Sequence, residues 1–327
     1  MIRRRGFMQA GLLAVPGAGL GTRAIAQERF PSRPLRIIVT FGAGGSGDLV
    51  ARTLAQQLGE ILGQSVIVEN RAGGAAMPGT EHAAKAAADG YTILQYTNTL
   101  AVNMVLQPSV PYDLFRDFTP LSYAFEAPLV LLTSGSSPNT RLAELLAFAK
   151  KRANGVSFGH GGAGSMSHLS GEMFRRATGI DAVAVAYKGN APAMADLISD
   201  RLDYYFATVN DVLPNIKAGR LRALAVTSAQ RDPLLPQVPT MVELGFKDFT
   251  PVVSWGYLVP RQTPAPIVRQ LQDALSKAMA TPAMQERLLG VGASSAHAGG
   301  PELMTARMRA EIARWEPVIR DGNIKPD

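Results

Sequence analysis

Cysteine is absent from the 327 residues, which removes disulfides and thiolate metal sites together. A chain of this length buries a large core without such staples. Long apolar runs are missing too: beyond the amino terminus no segment reaches the roughly 18 uncharged apolar residues that a membrane span needs. Nor is there a Lys/Arg cluster in the body of the chain. The formal net charge is +7, but Arg3, Arg4, Arg5 and Arg23 stand among the first 26 residues, which hold no acid, so the rest carries a surplus of three. That mild excess excludes a basic nucleic-acid face. With 18% charged and 46% apolar residues, the composition is that of a globular protein.

The amino terminus has its own logic. "RRRGFMQ" precedes an apolar, glycine-rich segment from Ala10 to Leu20, then Ala24-Ile25-Ala26 before Gln27. A basic start, a short apolar centre and an A-x-A site make a secretory signal peptide over residues 1–26, cleaved near Ala26 and leading to the periplasm. Arg4-Arg5-x-Phe7-Met8 resembles the twin-arginine export signal, with an ordinary Sec signal as the alternative.

From Leu35 onward short apolar runs alternate with helical patterns. "LRIIVTF" leads to a helix over 48–62, "SVIVEN" is a second strand, 75–90 an alanine-rich helix and "YTILQYT" a third strand. "APLVLLTS" (127–134) opens a second series of strands and helices that ends in the proline-rich stretch 230–251, after which "VVSWGYLVP" returns. Two closing helices are expected, at 265–290 and 302–320, the last with Met308, Ile312, Trp315 and Ile319 on one face. This rhythm predicts an α/β chain in two lobes, each a mainly parallel sheet flanked by helices. Lobe 1 takes 27–126 and 256–327, lobe 2 takes 127–255, and the chain crosses between them near 127 and 255. Such an arrangement bends at its crossings and binds ligands between the lobes.

Each lobe carries a strand, a glycine-rich loop and a helix start: "FGAGGSGDL" (41–49) and "FGHGGAGSMSHL" (158–169). A helix start offers unpaired N–H groups and a positive dipole end, and glycine lets the backbone approach a ligand closely. Two such loops, one per lobe, predict a cleft that grips a carboxylate without metal or cofactor. The competing interpretation is an exported cofactor-dependent oxidoreductase, because Gly42-x-Gly44-x-x-Gly47 follows a strand and Glu69 ends the next one. Against it stands Asp48, whose carboxylate sits where a pyrophosphate would lie; Asp48 reads first as a helix cap and second as a ligand contact. A hydrolase is disfavoured, since no serine stands in Gly-x-Ser-x-Gly. His82, His160, His168 and His297 read as solvated or capping side chains.

Several stretches carry a family resemblance. "PSRPLRIIV" with Gly44-Gly45-x-x-Asp48, "GQSVIVENRAGG", "AAADGYTIL", "PYDLFRDFTPL", "GAGSMSHLSGEMF", "YKGNAPAMADL", "LPNIKAGRLRALAVTSAQR", "LPQVPTMVELG" and "IARWEPVI" resemble the Bug/TctC family, periplasmic receptors of tripartite tricarboxylate transporters. The likeness runs from about Pro31 to the carboxyl end. It implies a two-lobed periplasmic-binding-protein fold of the Venus-flytrap kind, monomeric and non-enzymatic, that hands a small carboxylate to a membrane permease, or docks on a signalling partner. Carried over, the ligand would meet Phe41, Gly44, Gly45 and Ser46 in the first loop and Gly162, Ala163, Gly164 and Ser165 in the second. Thr99, at the end of the third strand, would add a hydroxyl. Trp255 would wall the cleft or pack at the crossing; Tyr187 would be cleft wall or core, and Lys188 is expected in solvent. Thr40-Phe41-Gly42-Ala43 departs from the family's Pro-Phe-Pro-Pro, and Tyr96-Thr97-Asn98-Thr99 from its Ser-Ser-Gly-Thr. Ala207-Thr208 replaces an aspartate and a polar residue, which weighs against an amino-acid ligand, although Asn210 and Asp211 lie close by.

Overall fold

The computed structural model describes residues 30–187, 189–294 and 298–326. The expected export signal at 1–26, Lys188 and His297 lie outside them.

The chain opens with β1 (Leu35–Val39), α1 (Ser46–Leu62), β2 (Val66–Asn70), a single 3-10 turn at Gly74–Ala76, α2 (Met77–Ala84), β3 (Thr92–Thr97) and α3 (Asn98–Leu106). α1 buries Val50, Ala51, Leu54, Ala55 and Leu58 on one stripe and stops at Gly63, whose left-handed φ of 68° lets its N–H reach the Gly59 carbonyl. β4 (Phe118–Ser134) then runs for seventeen residues, followed by α4 (Leu142–Lys151), β5 (Val156–His160), α5 (Met166–Thr178), β6 (Ala182–Ala186), α6 (Asn190–Ile198), β7 (Tyr205–Thr208), α7 (Val209–Lys217) and β8 (Leu221–Val226). After the proline-rich stretch come β9 (Val252–Pro260), α8 (Ala265–Met279), α9 (Pro282–Gly290) and α10 (Pro301–Asp321).

Four elements differ from the sequence expectation. The helix expected over 75–90 covers only Met77–Ala84. The helix expected over 265–290 is two helices, because Thr281 caps a new one by accepting the Met284 N–H and Pro282 fits only a first turn. Thr99 does not end the third strand; it lies in the first turn of α3, a short helix apolar on nearly every side that shows no 3.6-residue stripe. The strand expected from 127 begins nine residues earlier. Pro120 hides that half, which carries register shifts at Pro120/Ser122 and Tyr123/Phe125.

The sheets explain the lobes. In lobe 1 the order is β2-β1-β3-β9-β4, with β1, β2 and β3 parallel and β9 antiparallel to both β3 and β4. In lobe 2, β4 lies antiparallel to β7 and β8, β5 is parallel to β6, and a parallel bridge joins Phe158 to Tyr204. Each half is therefore a mainly parallel sheet with one reversed strand, and β4 belongs to both. In such sheets ligands bind beyond the carboxyl ends of the parallel strands, where the loops after β1, β3, β5 and β7 all emerge.

α10 belongs to neither lobe alone. Met304 and Met308 pack with Leu94, Tyr96 and Leu258 of lobe 1, whereas Trp315 and Ile319 pack with Phe174, Leu224 and Phe249 of lobe 2. Between them Glu311 is partly buried; its carboxylate accepts the Trp315 indole N–H at 2.7 Å and the Asn98 amide at 3.4 Å, and Asn98 also donates to the Val252 carbonyl at 2.8 Å. Burial pushes the Glu311 pKa up, and the donors Trp315 and Asn98 with the charges of Arg314 and Arg307 only partly restore it.

Two outcomes follow. Trp315→Ala, emptying a fully buried site, costs about 3–5 kcal/mol in urea unfolding. Glu311→Gln keeps an acceptor for Trp315 and removes the buried charge. Because the folded-state pKa is raised, wild-type stability falls as pH rises above the unfolded carboxyl value of about 4.3. The Gln variant therefore melts higher at pH 7, with a gap that closes below about pH 4 in thermal scans.

Candidate functional site

The first loop joins β1 to α1. Gly44 has φ +89°, a conformation L side chains rarely adopt. A Cβ placed on Gly42, Gly44 or Gly45 meets nothing within 4 Å, so this backbone faces open space. Gly45 is the helix cap and has no side chain to offer, leaving the α1 start free to attract an anion. The loop is braced from within by Asp48, which is 3% exposed. Its carboxylate accepts the Gly44 N–H at 2.9 Å, Arg52 Nε at 3.0 Å and Asn70 Nδ2 at 2.8 Å, while Asn70 Nδ2 also donates to the Phe41 carbonyl at 3.1 Å. Burial alone would raise the Asp48 pKa, but the bonds from Arg52, Gly44 and Asn70 and the Arg52 charge outweigh it and hold the carboxyl below its usual range. Asp48 thus serves the loop's own backbone. A pyrophosphate there would meet its charge and find the Gly44 amide occupied, which weighs against dinucleotide binding.

Gly47, one step into the helix, has no room for a side chain: its Cβ would stand 2.6 Å from Trp255 Nε1. Trp255 is buried beneath α1 and stacks on Phe125 with ring centroids 4.7 Å apart, so it packs at the base of the loop. Gln95 fixes the same point from β3 by donating to the Gly47 carbonyl at 3.1 Å. The Phe41 side chain is exposed.

The second loop is more self-contained. Gly162 and Gly164 have φ of +120° and +72°. Gly161 donates its N–H to Ser167 Oγ at 3.1 Å, Gly162 donates to His160 Nδ1 at 3.3 Å, and Ser165 caps α5 by accepting the His168 N–H at 3.3 Å. Ser165 and Ser167 share a further hydroxyl contact of 3.0 Å. Ala163 is buried, and a Cβ on Gly164 would strike Leu106 and approach Val102, so the loop rests on α3 of the other lobe. Thr99, buried, stands one turn before Val102 on that helix. Of the two expectations, solvated or capping, His160 and His168 are not solvated: both are buried, with rings stacked 3.9 Å apart at 8°, and His160 accepts the Gly162 N–H of the loop. Tyr187 is turned to α6, its hydroxyl donating to Asp196 at 2.8 Å.

A third set of groups joins the loops. Asp211, in the first turn of α7, has Thr208, Asn210 and, from the other lobe, Ser46 beside its carboxylate; burial raises its pKa and these neighbours pull it partly back. The Ser46 and Thr208 hydroxyls lie against it without completing hydrogen bonds. Tyr205 is close enough for the Asp211 charge to add to burial in raising its pKa, and it donates to Asn190 at 2.8 Å, whose side chain abuts Gly161. The structure therefore brings together the α1 start, the face of α3 bearing Thr99, the second loop and the start of α7. It leaves Tyr187 outside this group. Asp211 and Asn190 were missed as site residues; the available signal was an acid in a first helical turn directly after a parallel strand, the same setting as Asp48. Among the described residues no group of histidines and acids has the arrangement to hold a metal ion.

Asp48→Asn removes a charge that three donors serve, and is expected to cost about 1–3 kcal/mol at pH 7. Since the folded pKa is depressed, that stability is present above the unfolded value of about 3.9 and lost as pH falls through the folded value, so the deficit shrinks in acid. Urea melts of both proteins at pH 7 and pH 3 check this.

Comparison with known proteins agrees with this geometry. Residues 50–324 match the family model described as the tripartite tricarboxylate transporter family receptor, TctC. Protein BugT of Bordetella pertussis is 37% identical over 320 residues, which cover 96% of this chain and 98% of that protein. The solved periplasmic binding protein BugD superimposes with a TM-score of 0.82 at 33% identity, covering 91% of this chain and all of that one. Rpa4515 of R. palustris, solved with adipate, superimposes with a TM-score of 0.84 at 34% identity and the same coverage. The family model over residues 50–324 and relatives covering 91–96% of the chain show that the chain belongs to the tripartite tricarboxylate transporter receptor (TctC/Bug) family, with the two-lobed fold of periplasmic solute-binding receptors.

Proposed function

We propose that this receptor closes its lobes on a small organic carboxylate and delivers it to the membrane permease of a tripartite tricarboxylate transporter. The contacts are Gly45 and Ser46 at the α1 start, beside Gly44, whose own amide Asp48 holds, Thr99 on α3, and the loop Gly162, Ala163, Gly164 and Ser165, with lobe motion at the crossings near 127 and 255. The observation that carries this is the open first loop. Three glycines face free space at a helix start whose cap has no side chain. The adipate held by Rpa4515 supports the ligand class.

The magnitudes are sufficient. A hydrogen bond to a charged group contributes about 1.5–3 kcal/mol net, so four or five of them, less the cost of closure, reach the roughly −8 kcal/mol of micromolar binding. Closure follows from differential affinity, since a carboxylate touching both lobes favours the state that brings them together.

A thermal-shift screen of mono-, di- and tricarboxylates tests the proposal, because a ligand at 100 times its Kd stabilises by about 2.7 kcal/mol. Gly45→Asp is the decisive variant. Position 45 has extended backbone and free space, and aspartate is a good helix cap, so the variant should melt no lower than wild type. It nevertheless sets a carboxylate at the α1 start, and every ligand-induced shift is expected to vanish. Shifts that survive in the variant, or a wild type that no carboxylate stabilises, would count against the assignment.

A further inference from the structure

Asp211 lies between the α1 start of one lobe and the Tyr205–Asn190 pair of the other. It stands in the first turn of α7, whose cap residue Thr208 makes no side-chain cap bond. Among the described residues no lysine or arginine pairs with it. Ser46 and Thr208 beside it are 4% and 8% exposed, and both hydroxyls lack partners. Arg52, the cation of the first loop, is held by Asp48 and Asn70. The groups that converge with Asp211 are otherwise hydroxyls, amides and helix starts.

The consequence is electrostatic. Helix starts draw one carboxylate, each presenting about half a positive charge. A second carboxylate on the same molecule, placed toward α7, would face Asp211 with no cation between them, where burial weakens solvent screening. An ammonium or hydroxyl in that place would instead find an acceptor.

We propose that Asp211 is the specificity-determining residue of the cleft, selecting acids whose far end carries a hydrogen-bond donor, ammonium or hydroxyl, over acids that carry a second carboxylate there. This rests on the carboxylate-receptor reading and narrows it. It also reverses the weight given to Ala207-Thr208 against amino acids, because Asp211 restores an acid one helical turn further on.

Isothermal titration with matched sets of three- to six-carbon acids, each as the ω-amino, ω-hydroxy and ω-carboxy form, decides it. For wild type the donor-bearing members of the best-bound set bind at least about tenfold more tightly than the dicarboxylate, equivalent to about 1.4 kcal/mol. Asp211→Asn keeps the shape and removes the charge, so the dicarboxylate gains at least about tenfold and the ω-amino acid loses affinity. Asp211→Ser serves the same comparison if the Asn variant misfolds, and the wild-type ranking stands without either. A wild type that prefers the dicarboxylate, or variants that leave the ratio unchanged, would overturn the role of Asp211 while leaving the receptor reading intact. Failure of every acid in the series to bind wild type would overturn both.

Discussion

One strand belongs to two sheets, and the rest of the molecule is arranged around that sharing. The first half of β4 is hydrogen-bonded to β9 in lobe 1, and its second half lies between β7 and β8 in lobe 2. The lobes therefore cannot separate without twisting this strand where one set of partners hands over to the other, between Pro128 and Leu129. β9 begins at the same level, with Val252 opposite Pro128. α10, packed into both cores, ties the halves on one side.

Three acids, Asp48 fully buried and Glu311 and Asp211 partly so, show how differently one side chain can be used in such a frame. Asp48 receives three donors, one of them a guanidinium, so it stays ionised and stiffens the first loop. Glu311 receives an indole and an amide deep between the lobes, where burial dominates. Asp211 has neutral neighbours and no paired cation among the described residues. The first shapes the cradle, the second holds the strap across the lobes, and the third stands at the meeting point of the loops. Burial is common to all three; the number and charge of the donors separates them.

Much of the fold was legible in the residues. The run Ile37-Ile38-Val39 is a buried strand as read, whereas Val66-Ile67-Val68 is an edge strand with Ile67 exposed; of the expected stripe Met308, Trp315 and Ile319 are buried and Ile312 is partly so. Three things were hidden for local reasons. Pro120 masked the first half of β4, α3 has no polar face to give a period, and Thr281-Pro282 divides a helix whose apolar pattern continues across the break.

The site divides along the same line. Residue identity alone determined the two glycine loops, since positive φ at Gly44, Gly162 and Gly164 is a property of the backbone that glycine announces. The family, too, was readable from motif order along one chain. Only the tertiary structure decided that Asp48 turns inward to Gly44 and Asn70, that Trp255 lies under Gly47, and that Asp211 meets Ser46 from the opposite lobe. Backbone preference is local and can be read position by position. What a side chain faces depends on segments far along the chain, 22 residues away for Asp48 and Asn70, which spacing does not encode.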